Sequence, residues 1–425
     1  MSQTLKFGNK TWATKVGSTL AYNDENDNYK PLPFAFTRST SATRVNKEGL
    51  IEVVTNDRPR IDYTDTSDGV LLLENAATNL VLYSEDYSQS VWTKSKATIT
   101  SNSVVSPNGT LTADKLVEDT SIGEHIVYDL LITSSGNFSH SIFAKAEERT
   151  KIRISSGSNL HKVDFDLSNG SIILEVGATG SIDSMANGWY KLSISWNESS
   201  SVPQYAFVSL LDDNGLDSYQ GNGSSGLYIW GSQYEQSSYT SSYIPTQGSA
   251  TTRVAETASG AGNSEVFNDS EGVLFANIAA LADDGTDRAI TISDGTSSNR
   301  VTFYYGASST LNYNIYSGGL VSFGSLTIPN ISAFSKFSIK YKSNDFAFWV
   351  NGFEVHTGSS GNSPTGLDRL NISTFNASGA FFYGKTKEIG YYDTALTDLE
   401  LETLTSYRTW ESMVKELNLN VIYNG

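Results

Sequence analysis

Short runs of alternating apolar and polar residues, separated by Asn-Gly and other Gly-rich turns, recur along most of this sequence. Between Lys162 and Leu174 two such runs flank Asn169-Gly170, and this arrangement is a strong local signal for a β-hairpin. A three-stranded meander is predicted from Phe337 to His356, with turns at Ser343-Asn344-Asp345 and Asn351-Gly352. The turn spacing, about ten residues, is typical of β-sandwiches and barrels and predicts an all-β protein.

The composition excludes several other classes of protein. The 425 residues suggest about three domains at ~150 residues each. An aromatic content of 12% argues against disorder, and the scarcity of Ala, Glu, Lys and Leu in periodic runs argues against coiled coils. There is no cysteine, which removes disulfides, thiolate metal sites and cysteine nucleophiles.

Charge and hydropathy restrict the partners. Twenty-nine basic and 46 acidic residues give a net charge of −17, which disfavours nucleic acid and anionic membrane surfaces. The longest apolar run, Gly272 to Ala282, is much shorter than the ~20 residues that span a bilayer. The first residues do not resemble a signal peptide, so we expect synthesis and folding in a cytoplasm and no membrane insertion.

Composition shifts suggest the domain organisation. Residues 1–85 are predicted to form a small N-terminal β region, and residues 86–248 a jelly-roll sandwich. Residues 249–264 are rich in Ser, Thr, Ala and Gly and are predicted to be a linker. Residues 265–396 resume the strand pattern as a second sandwich, and residues 397–425 are predicted to be a tail of short helices.

The helical tail has a clear start signal and an apolar stripe. Thr397 and Glu400 have the spacing of a capping box, in which each side chain bonds to the other residue's backbone N–H. Farther on, Trp410, Met413, Val414 and Leu417 recur at helical spacing. This stripe packs either on its own domain or on a neighbouring subunit.

No catalytic motif is present. The sequence contains neither a nucleophile elbow, nor a zincin motif, nor a phosphate-binding or dinucleotide-binding loop. The four histidines are scattered and are interpreted as ordinary sheet residues: His125, His140, His161 and His356. A hydrolase that uses two carboxylates stays open with no motif to support it, and we predict a protein that is not an enzyme and needs no cofactor.

Two acidic turns resemble calcium loops. The first contains Asp212, Asp213, Asn214 and Asp217 around Gly215, and the second runs from Asp283 to Asp287. Oxygen ligands around a turn-forming glycine suit Ca²⁺, but neither turn has the distal bidentate Glu of an EF-hand. The alternative is an ordinary hairpin turn, which needs the same residues for its backbone.

Aromatic residues are the remaining signal. A sugar ring can stack its apolar face on Trp or Tyr while Asn, Asp and Gln bind its hydroxyl groups. Five residues lie in apolar strand patterns and are expected to be buried: Trp189, Tyr190, Trp196, Trp230 and Trp349. The stretch from Tyr234 to Tyr243 is expected to be more exposed, and no single residue is assigned as a glycan contact.

Several segments resemble a group of bacteriophage virion proteins. Those in the first quarter of the chain are Phe36 to Asn46, Gly49 to Glu52, Arg58 to Tyr63 and Leu71 to Leu80. Those farther on are Asn187 to Tyr190, Leu227 to Glu235 and Thr240 to Thr246. In that group the opening precedes a carbohydrate-binding-like jelly roll, so residues 1–85 would be a collar that attaches to the virion.

The second predicted sandwich resembles a laminin-G or concanavalin A-like lectin domain. The matching segments are Trp349 to Gly352 and Lys387 to Thr397. The two resemblances imply a virion fibre or decoration protein, made in the host cytoplasm, that binds host surface polysaccharide and other virion proteins. They also imply a homo-oligomer, most simply a trimer. A polysaccharide depolymerase and a purely structural head or tail component are the alternatives.

Overall fold

A computed structural model describes residues 3–20, 32–157, 160–307, 309–417 and 419. The chain divides into two compact units that interleave along the sequence. Unit 1 comprises Met1–Ser39, Val54–Asn75 and Ala255–Gly425, and unit 2 comprises Thr40–Val53 and Ala76–Val254.

The strands of unit 1 are β1 Leu5–Gly8, β2 Ala13–Lys15, β3 Ser18–Leu20, β4 Phe34–Thr37, β7 Arg60–Asp62, β8 Val70–Leu73, β23 Thr257–Ser259, β24 Glu271–Ala280, β25 Arg288–Ser293, β26 Asn299–Gly306, β27 Thr310–Ser317, β28 Leu320–Thr327, β29 Ser335–Lys342, β30 Phe346–Val350, β31 Phe353–Gly358, β32 Arg369–Asn371 and β33 Gly384–Tyr392. Its helices are α1 Asp398–Thr405 and α2 Trp410–Glu416.

Unit 1 has two main antiparallel sheets with an apolar core. One sheet has the order β31-β30-β29-β24-β33-β8-β7, with β1 also paired to β33. The other has the order β28-β27-β26-β25-β32, and β2-β3-β4-β23 form a small third sheet. Alternate residues of the main sheets point into the core, among them Leu274 on β24 and Phe303 on β26.

The strands of unit 2 are β5 Ala42–Val45, β6 Ile51–Val54, β9 Ala77–Asn79, β10 Thr93–Ser95, β11 Ala97–Val105, β12 Leu111–Glu118, β13 Ile122–Glu124, β14 Ile126–Lys145, β15 Lys151–Ser155, β16 Lys162–Asp166, β17 Ser171–Val176, β18 Thr179–Ser184, β19 Tyr190–Leu211, β20 Ser218–Gln220, β21 Gly226–Glu235 and β22 Thr251–Arg253.

Unit 2 is built on one curled sheet with the order β11-β12-β21-β14-β19-β15-β16-β17. The strands β10 and β18 join it by pairing with β14 and β19, respectively. Two long strands, β14 with 20 residues and β19 with 22, run through the sheet side by side. Their pairing shifts register between Ser134 and Gly136, and Gly136 adopts a φ of 124° that suits a residue without Cβ.

The predicted all-β fold is confirmed, since strands form about 53% of the structure. The two hairpin predictions are also confirmed: β16 pairs with β17, and β29, β30 and β31 form the meander. At the second meander turn Asn351 and Gly352 have φ values of 50° and 90°. Two successive left-handed residues are what a tight hairpin turn requires, and Asn-Gly supplies them at low cost.

The structure distributes residues 1–85 over both units, whereas the sequence suggested a separate N-terminal region. The strands β1 and β8 both pair with β33 in the large sheet of unit 1. The apolar residues of these strands complete that core, with Leu5 fully buried and Leu71 at 1% exposure. Local pattern could not show this because the partner strand lies more than 300 residues farther along the chain.

The segment 249–264, predicted to be a linker, is built into the structure instead. It contains β22 and β23, and Arg253, Glu256 and Ala258 are all buried at 1% exposure. Its small residues fit closely packed strands, and its charged residues bond to groups elsewhere in the fold. Composition alone does not distinguish such a segment from a flexible one.

The tail begins as predicted. Thr397 and Glu400 make both bonds of the capping box at the start of α1, and Leu401 of this helix is fully buried. A second capping box, with Thr409 as N-cap, starts α2, and none of the residues of α2 is buried. Residues 418 and 420–425 of the predicted tail lie outside the described residues.

No helix in the described residues is both long and apolar enough to cross a membrane.

Candidate functional site

The outer face of the five-stranded sheet of unit 1 carries a set of aromatic, amide and arginine side chains. On β26, Val301 and Phe303 point into the core, so Arg300 and Tyr304 lie on the opposite face. The same alternation applies to β27 and β28. We call this set the platform; it consists of Arg300, Tyr304, Asn312, Asn314, Tyr316 and Phe323.

Strand register places Arg300 directly opposite Tyr316 on β27. The central carbon of the guanidinium lies 3.9 Å from the centroid of the Tyr316 ring, and 5.4 Å from that of Phe375. A cation over an aromatic face is stabilised by ~0.5–2 kcal/mol, depending on its exposure to water. Both rings therefore favour this position of the guanidinium.

The polar bonds of Arg300 go to neutral acceptors. Its Nε donates to the amide oxygen of Asn314 at 3.4 Å, and Nη1 donates to the backbone carbonyl of Ser297 at 2.5 Å. Burial lowers the pKa of Arg300 below its ordinary value, and the neighbouring Tyr316 offsets this only in part. Within the residues that the structure describes, no carboxylate forms an ion pair with Arg300.

Phe375 is held in place by buried polar side chains. The side-chain amide of Asn371, which is 1% exposed, donates to the carbonyl oxygens of Phe375 at 2.9 Å and Thr374 at 3.2 Å. The hydroxyl of the fully buried Ser293 donates to the same Phe375 carbonyl at 3.0 Å. These bonds fix the backbone of the loop at Phe375 beside the platform.

The same loop contains two alanines in the left-handed region. Ala377 has a φ of 56° and Ala380 a φ of 42°. Such a backbone conformation costs of the order of 1 kcal/mol for a residue with a Cβ, and it persists only where surrounding contacts fix it. One of those contacts is the bond from the Ala289 amide to the Ala380 carbonyl, at 2.8 Å.

The rest of the platform extends toward β28. Phe323 lies opposite Asn314, and its side chain is 56% exposed. Because neighbouring strands are ~4.8 Å apart, the strands of Arg300 and Phe323 are separated by about 10 Å. The exposed ring offers an apolar face and the amides of Asn312 and Asn314 offer hydrogen bonds, which together suit a sugar.

The six platform side chains include no carboxylic acid and no imidazole. The histidines also occupy separate places: His125 Nδ1 lies 2.6 Å from the Lys96 carbonyl, and His161 Nε2 lies 3.2 Å from Glu198. Burial lowers the pKa of His140 to about 3, so this residue is neutral in the core. The platform therefore has the groups of a binding surface and no acid–base pair.

The expected burial of the tryptophans is confirmed. Trp189, Trp196, Trp230 and Trp349 are between 0% and 7% exposed, while Tyr190 is half-buried against the core of unit 2. The expected exposure of the stretch from Tyr234 to Tyr243 is wrong at both ends, which are 0% and 4% exposed.

The two buried tyrosines of that stretch bond to interior partners. Tyr234 lies on β21, and its hydroxyl donates to the side chain of Gln204 at 2.9 Å. The Tyr243 hydroxyl donates to Glu85 at 3.0 Å. Serines and glutamines between tyrosines suggested a solvent-exposed loop, but here Gln233 and Ser241 are themselves buried and hydrogen bonded.

The first predicted calcium loop connects β19 to β20. Asp212 accepts the backbone amides of Asn214 at 2.9 Å and Leu216 at 2.8 Å, as in an ordinary Asp-based turn. The carboxylates of Asp213 and Asp217 instead contact Arg149 and Arg153. Over the described ranges no group of three or more His, Cys, Asp or Glu side chains is placed to hold a metal ion, and Ca²⁺ at this loop stays a prediction.

The second acidic turn, between β24 and β25, is similar. Asp284 accepts the Thr286 amide at 3.0 Å and pairs with Arg288 at 2.8 Å. These bonds keep the pKa of Asp284 below its ordinary value, although burial acts in the opposite direction.

Unit 2 carries a second group of partly exposed aromatic side chains. Tyr128 and Phe207 stack across β14 and β19 with ring centroids 5.6 Å apart, and Tyr205 meets Tyr128 edge-on at 5.9 Å. Arg153 on the adjacent strand β15 is paired with Asp164 and Asp217. The arginine on the strand beside these rings is thus already paired with two carboxylates, and the platform of unit 1 is the stronger candidate.

The sequence did not single out the platform. Its signal is the alternation on β27, where Asn312, Asn314 and Tyr316 interleave with the buried Tyr313 and Ile315. This alternation alone could have predicted one polar face with an aromatic residue on β27. The pairing of Arg300 with Tyr316 depends on strand register, and the approach of Phe375 depends on tertiary contacts.

Comparisons with known proteins show no matching family model and no matching curated protein. Among solved structures, the CBM40 of the Ruminococcus gnavus IT-sialidase is 13% identical and covers 35% of this chain and 94% of its own, with a TM-score of 0.30. Domains LG4-5 of the mouse laminin alpha1 chain are 7% identical and cover 65% and 89%, with a TM-score of 0.23. A Trypanosoma rangeli sialidase is 10% identical and covers 94% and 98%, with a TM-score of 0.28. Likenesses this weak carry no inference about the ligand or activity of this chain.

Proposed function

We propose that this protein binds glycans of a host cell surface as a non-enzymatic component of a bacteriophage particle, and that the platform is its glycan site. The virion context comes from the sequence resemblance, in particular from the segments Phe36 to Asn46 and Leu71 to Leu80. It implies other virion proteins as partners and host surface polysaccharide as the target.

The observation that carries the glycan site is the fixed position of Arg300 between polar and aromatic neighbours. Tyr316 and Phe375 hold its guanidinium, while Asn314 accepts from it and Phe323 presents an open ring nearby. Preorganised donors beside a ring face bind a sugar without the entropic cost of ordering side chains. The outer face of the five-stranded sheet of unit 1 provides both the hydrogen-bonding groups and the aromatic rings that a sugar needs.

Purified protein tested on a glycan array and on host capsule or lipopolysaccharide measures this function. Tyr316→Ala removes the ring under Arg300 and is expected to weaken glycan binding at least tenfold, since it removes both a stacking surface and a cation–π contact. Tyr205→Ala is the matched control, because it removes a half-buried aromatic ring from a strand of unit 2. A larger loss with Tyr205→Ala than with Tyr316→Ala would move the site to unit 2.

The competing enzymatic function is a polysaccharide depolymerase. Such an enzyme needs a cleft with paired carboxylates of shifted pKa, and the platform residues contain no carboxylic acid. Incubation with host polysaccharide followed by an assay for new reducing ends separates the two. Release of oligosaccharide would contradict the non-enzymatic proposal.

A purely structural virion component is the second competitor. It predicts tight binding to capsid or tail proteins and no binding on a glycan array. A glycan-binding component can also attach to the virion, so capsid binding does not distinguish the two functions. Binding or no binding on the glycan array does.

The proposed assembly is a homo-oligomer, most simply a trimer. Its support within the chain is the apolar stripe of α2, where Trp410 is 62% exposed and no residue is buried, although Glu416 contacts Lys387 of the same unit at 3.5 Å. Several weak sites on one assembly raise avidity by ~10²–10⁴.

Light scattering on the intact chain and on a chain truncated after Arg408 tests this assembly. The truncation keeps Tyr407, whose hydroxyl donates to Asn351 at 2.8 Å, and removes α2. A monomeric intact chain at micromolar concentration would contradict the oligomer. An oligomer unchanged by truncation would place the interface outside α2.

A further inference from the structure

Arg300 differs from the other arginines of this protein that lie over aromatic rings. Arg149 lies 5.0 Å from the ring of Tyr219 and is also paired with Glu118 at 2.8 Å. Arg38 lies 5.8 Å from the ring of Phe36 and is paired with Glu256 at 2.6 Å. In both cases the ring contact accompanies a carboxylate rather than replacing it.

Arg300 contacts two aromatic rings, and its guanidinium donates hydrogen bonds to Asn314 and to the Ser297 carbonyl. Among the described residues no carboxylate pairs with it. The nearest arginines along the chain on this unit are both paired: Arg288 with Asp284 at 2.8 Å and Arg369 with Asp368 at 2.6 Å. A half-buried guanidinium is stabilised more by a carboxylate, which can accept two parallel hydrogen bonds and carries the opposite charge, than by neutral acceptors. Arg300 thus has the ring contacts and neutral acceptors of a positioned guanidinium and lacks the anionic partner that the other arginines have.

We infer that the glycan bound at the platform is acidic, and that a carboxylate of one of its sugars pairs with Arg300. This inference rests on the proposed function and names the class of glycan. The planar fork of a guanidinium matches a carboxylate with two parallel hydrogen bonds, a geometry that a lysine ammonium cannot reproduce. The amide oxygen of Asn314 accepts from Arg300 Nε at 3.4 Å, and the amide nitrogen of Asn314 would bind a hydroxyl group of the same sugar. Asn312 lies two residues earlier on β27, opposite Tyr304.

The net charge of −17 does not prevent a carboxylate from binding at the platform, because repulsion by distant acidic residues is screened. At physiological ionic strength the Debye length is ~8 Å, so a bound carboxylate interacts mainly with the groups of the platform and little with distant acidic residues. The same net charge does disfavour nonspecific adhesion of polyanions, so an acidic sugar that binds must do so through a local cationic contact.

The experiment uses the intact protein and the glycans or host polysaccharide that it binds in the assay of the proposed function. Each ligand is compared with its carboxyl-reduced form, in which uronic and other sugar acids are converted to neutral alcohols on the same backbone. Trigalacturonate and its methyl ester serve as a defined pair. Wild-type protein is expected to bind the carboxylate forms at least ten times more tightly than the neutralised forms, at 0.15 M salt.

Two arginine variants and one control test the residue. Arg300→Gln should abolish the preference for the carboxylate form, and Arg300→Lys should restore only part of it. Arg44→Gln in unit 2 makes the same change in net charge at an arginine paired with Glu52, and it should keep the wild-type preference. Thermal unfolding of each variant checks that the fold is retained.

The outcomes separate this inference from the proposed function. Equal binding of both forms by wild-type protein, or binding of neutral glycans alone, would overturn the acidic-glycan inference and leave glycan binding intact. An undiminished preference in Arg300→Gln would assign the anion to another residue. Failure to bind any glycan would overturn both.

Discussion

Glu256 joins the segments of unit 1 through a buried ion cluster. One oxygen of its carboxylate accepts from Arg38 Nη1 at 2.6 Å and from Arg60 Nε at 2.9 Å. The other accepts from Arg60 Nη2 and from the Glu74 backbone amide, the latter at 2.9 Å. The side chains of Arg38, Arg60 and Glu256 are fully buried.

Glu256→Gln keeps the size of the side chain and removes its charge. Arg60 then keeps its pair with Glu74 at 2.8 Å, Arg38 loses its pair with Glu256, and the new amide group presents donors to guanidinium donors. Burial alone would lower the pKa of Arg60, and in the wild-type protein Glu256 and Glu74 hold it above its ordinary value, so the variant loses one of the two carboxylates that keep this guanidinium charged. Breaking a buried pair in this way costs about 3–5 kcal/mol, a large part of the ~5–15 kcal/mol that stabilises a typical domain.

Urea unfolding monitored by hydrogen exchange measures this loss within each unit. We expect unit 1 to unfold at lower urea and unit 2 to be unaffected. Glu52→Gln is the matched control, because Glu52 pairs with Arg44 at 3.0 Å with its side chain 44% exposed, and such pairs contribute at most about 1 kcal/mol. Equal effects of Glu256→Gln and Glu52→Gln would refute the reasoning.

Two further predictions concern a buried acid and a helix cap. Burial raises the pKa of Asp129 in unit 2 to about 6, from an ordinary value of 3.8. Its neutral form therefore favours the fold, so the contribution of this residue is fully present below pH ~4 and is lost as the pH rises toward 6. Asp129→Asn should raise the free energy of unfolding at pH 7 by up to about 2 kcal/mol and change it little at pH 4. Urea titrations at both pH values measure this difference. A gain in stability that is independent of pH would contradict the raised pKa of Asp129. Thr397→Ala removes the N-cap of α1 and should destabilise that helix by about 1 kcal/mol, seen as faster hydrogen exchange in α1, with Thr403→Ala on the exposed side of the same helix as the control.

Sequence patterns predicted the parts of the fold that depend on near neighbours. The Asn169-Gly170 hairpin, the meander from Phe337 to His356 and the capping box at Thr397 each have their signal and their partner within about 20 residues. The pairing of Leu5–Gly8 with β33 depends on a match between distant segments, for which one sequence carries no local sign. The platform could not be predicted from the sequence for a related reason, since Arg300 and Tyr316 become neighbours only through the register of β26 and β27.

The interleaving of the two units has a consequence for biosynthesis. A ribosome completes every segment of unit 2 when it reaches Val254, whereas unit 1 still lacks Ala255–Gly425. Domains commonly fold as soon as their sequence has emerged, so unit 2 can fold first. Until Glu256 is made, the early segments of unit 1 hold Arg38 and Arg60 without that carboxylate, and burying these guanidiniums is then unfavourable. The buried ion cluster of unit 1 can therefore form only after residue 256 has been translated.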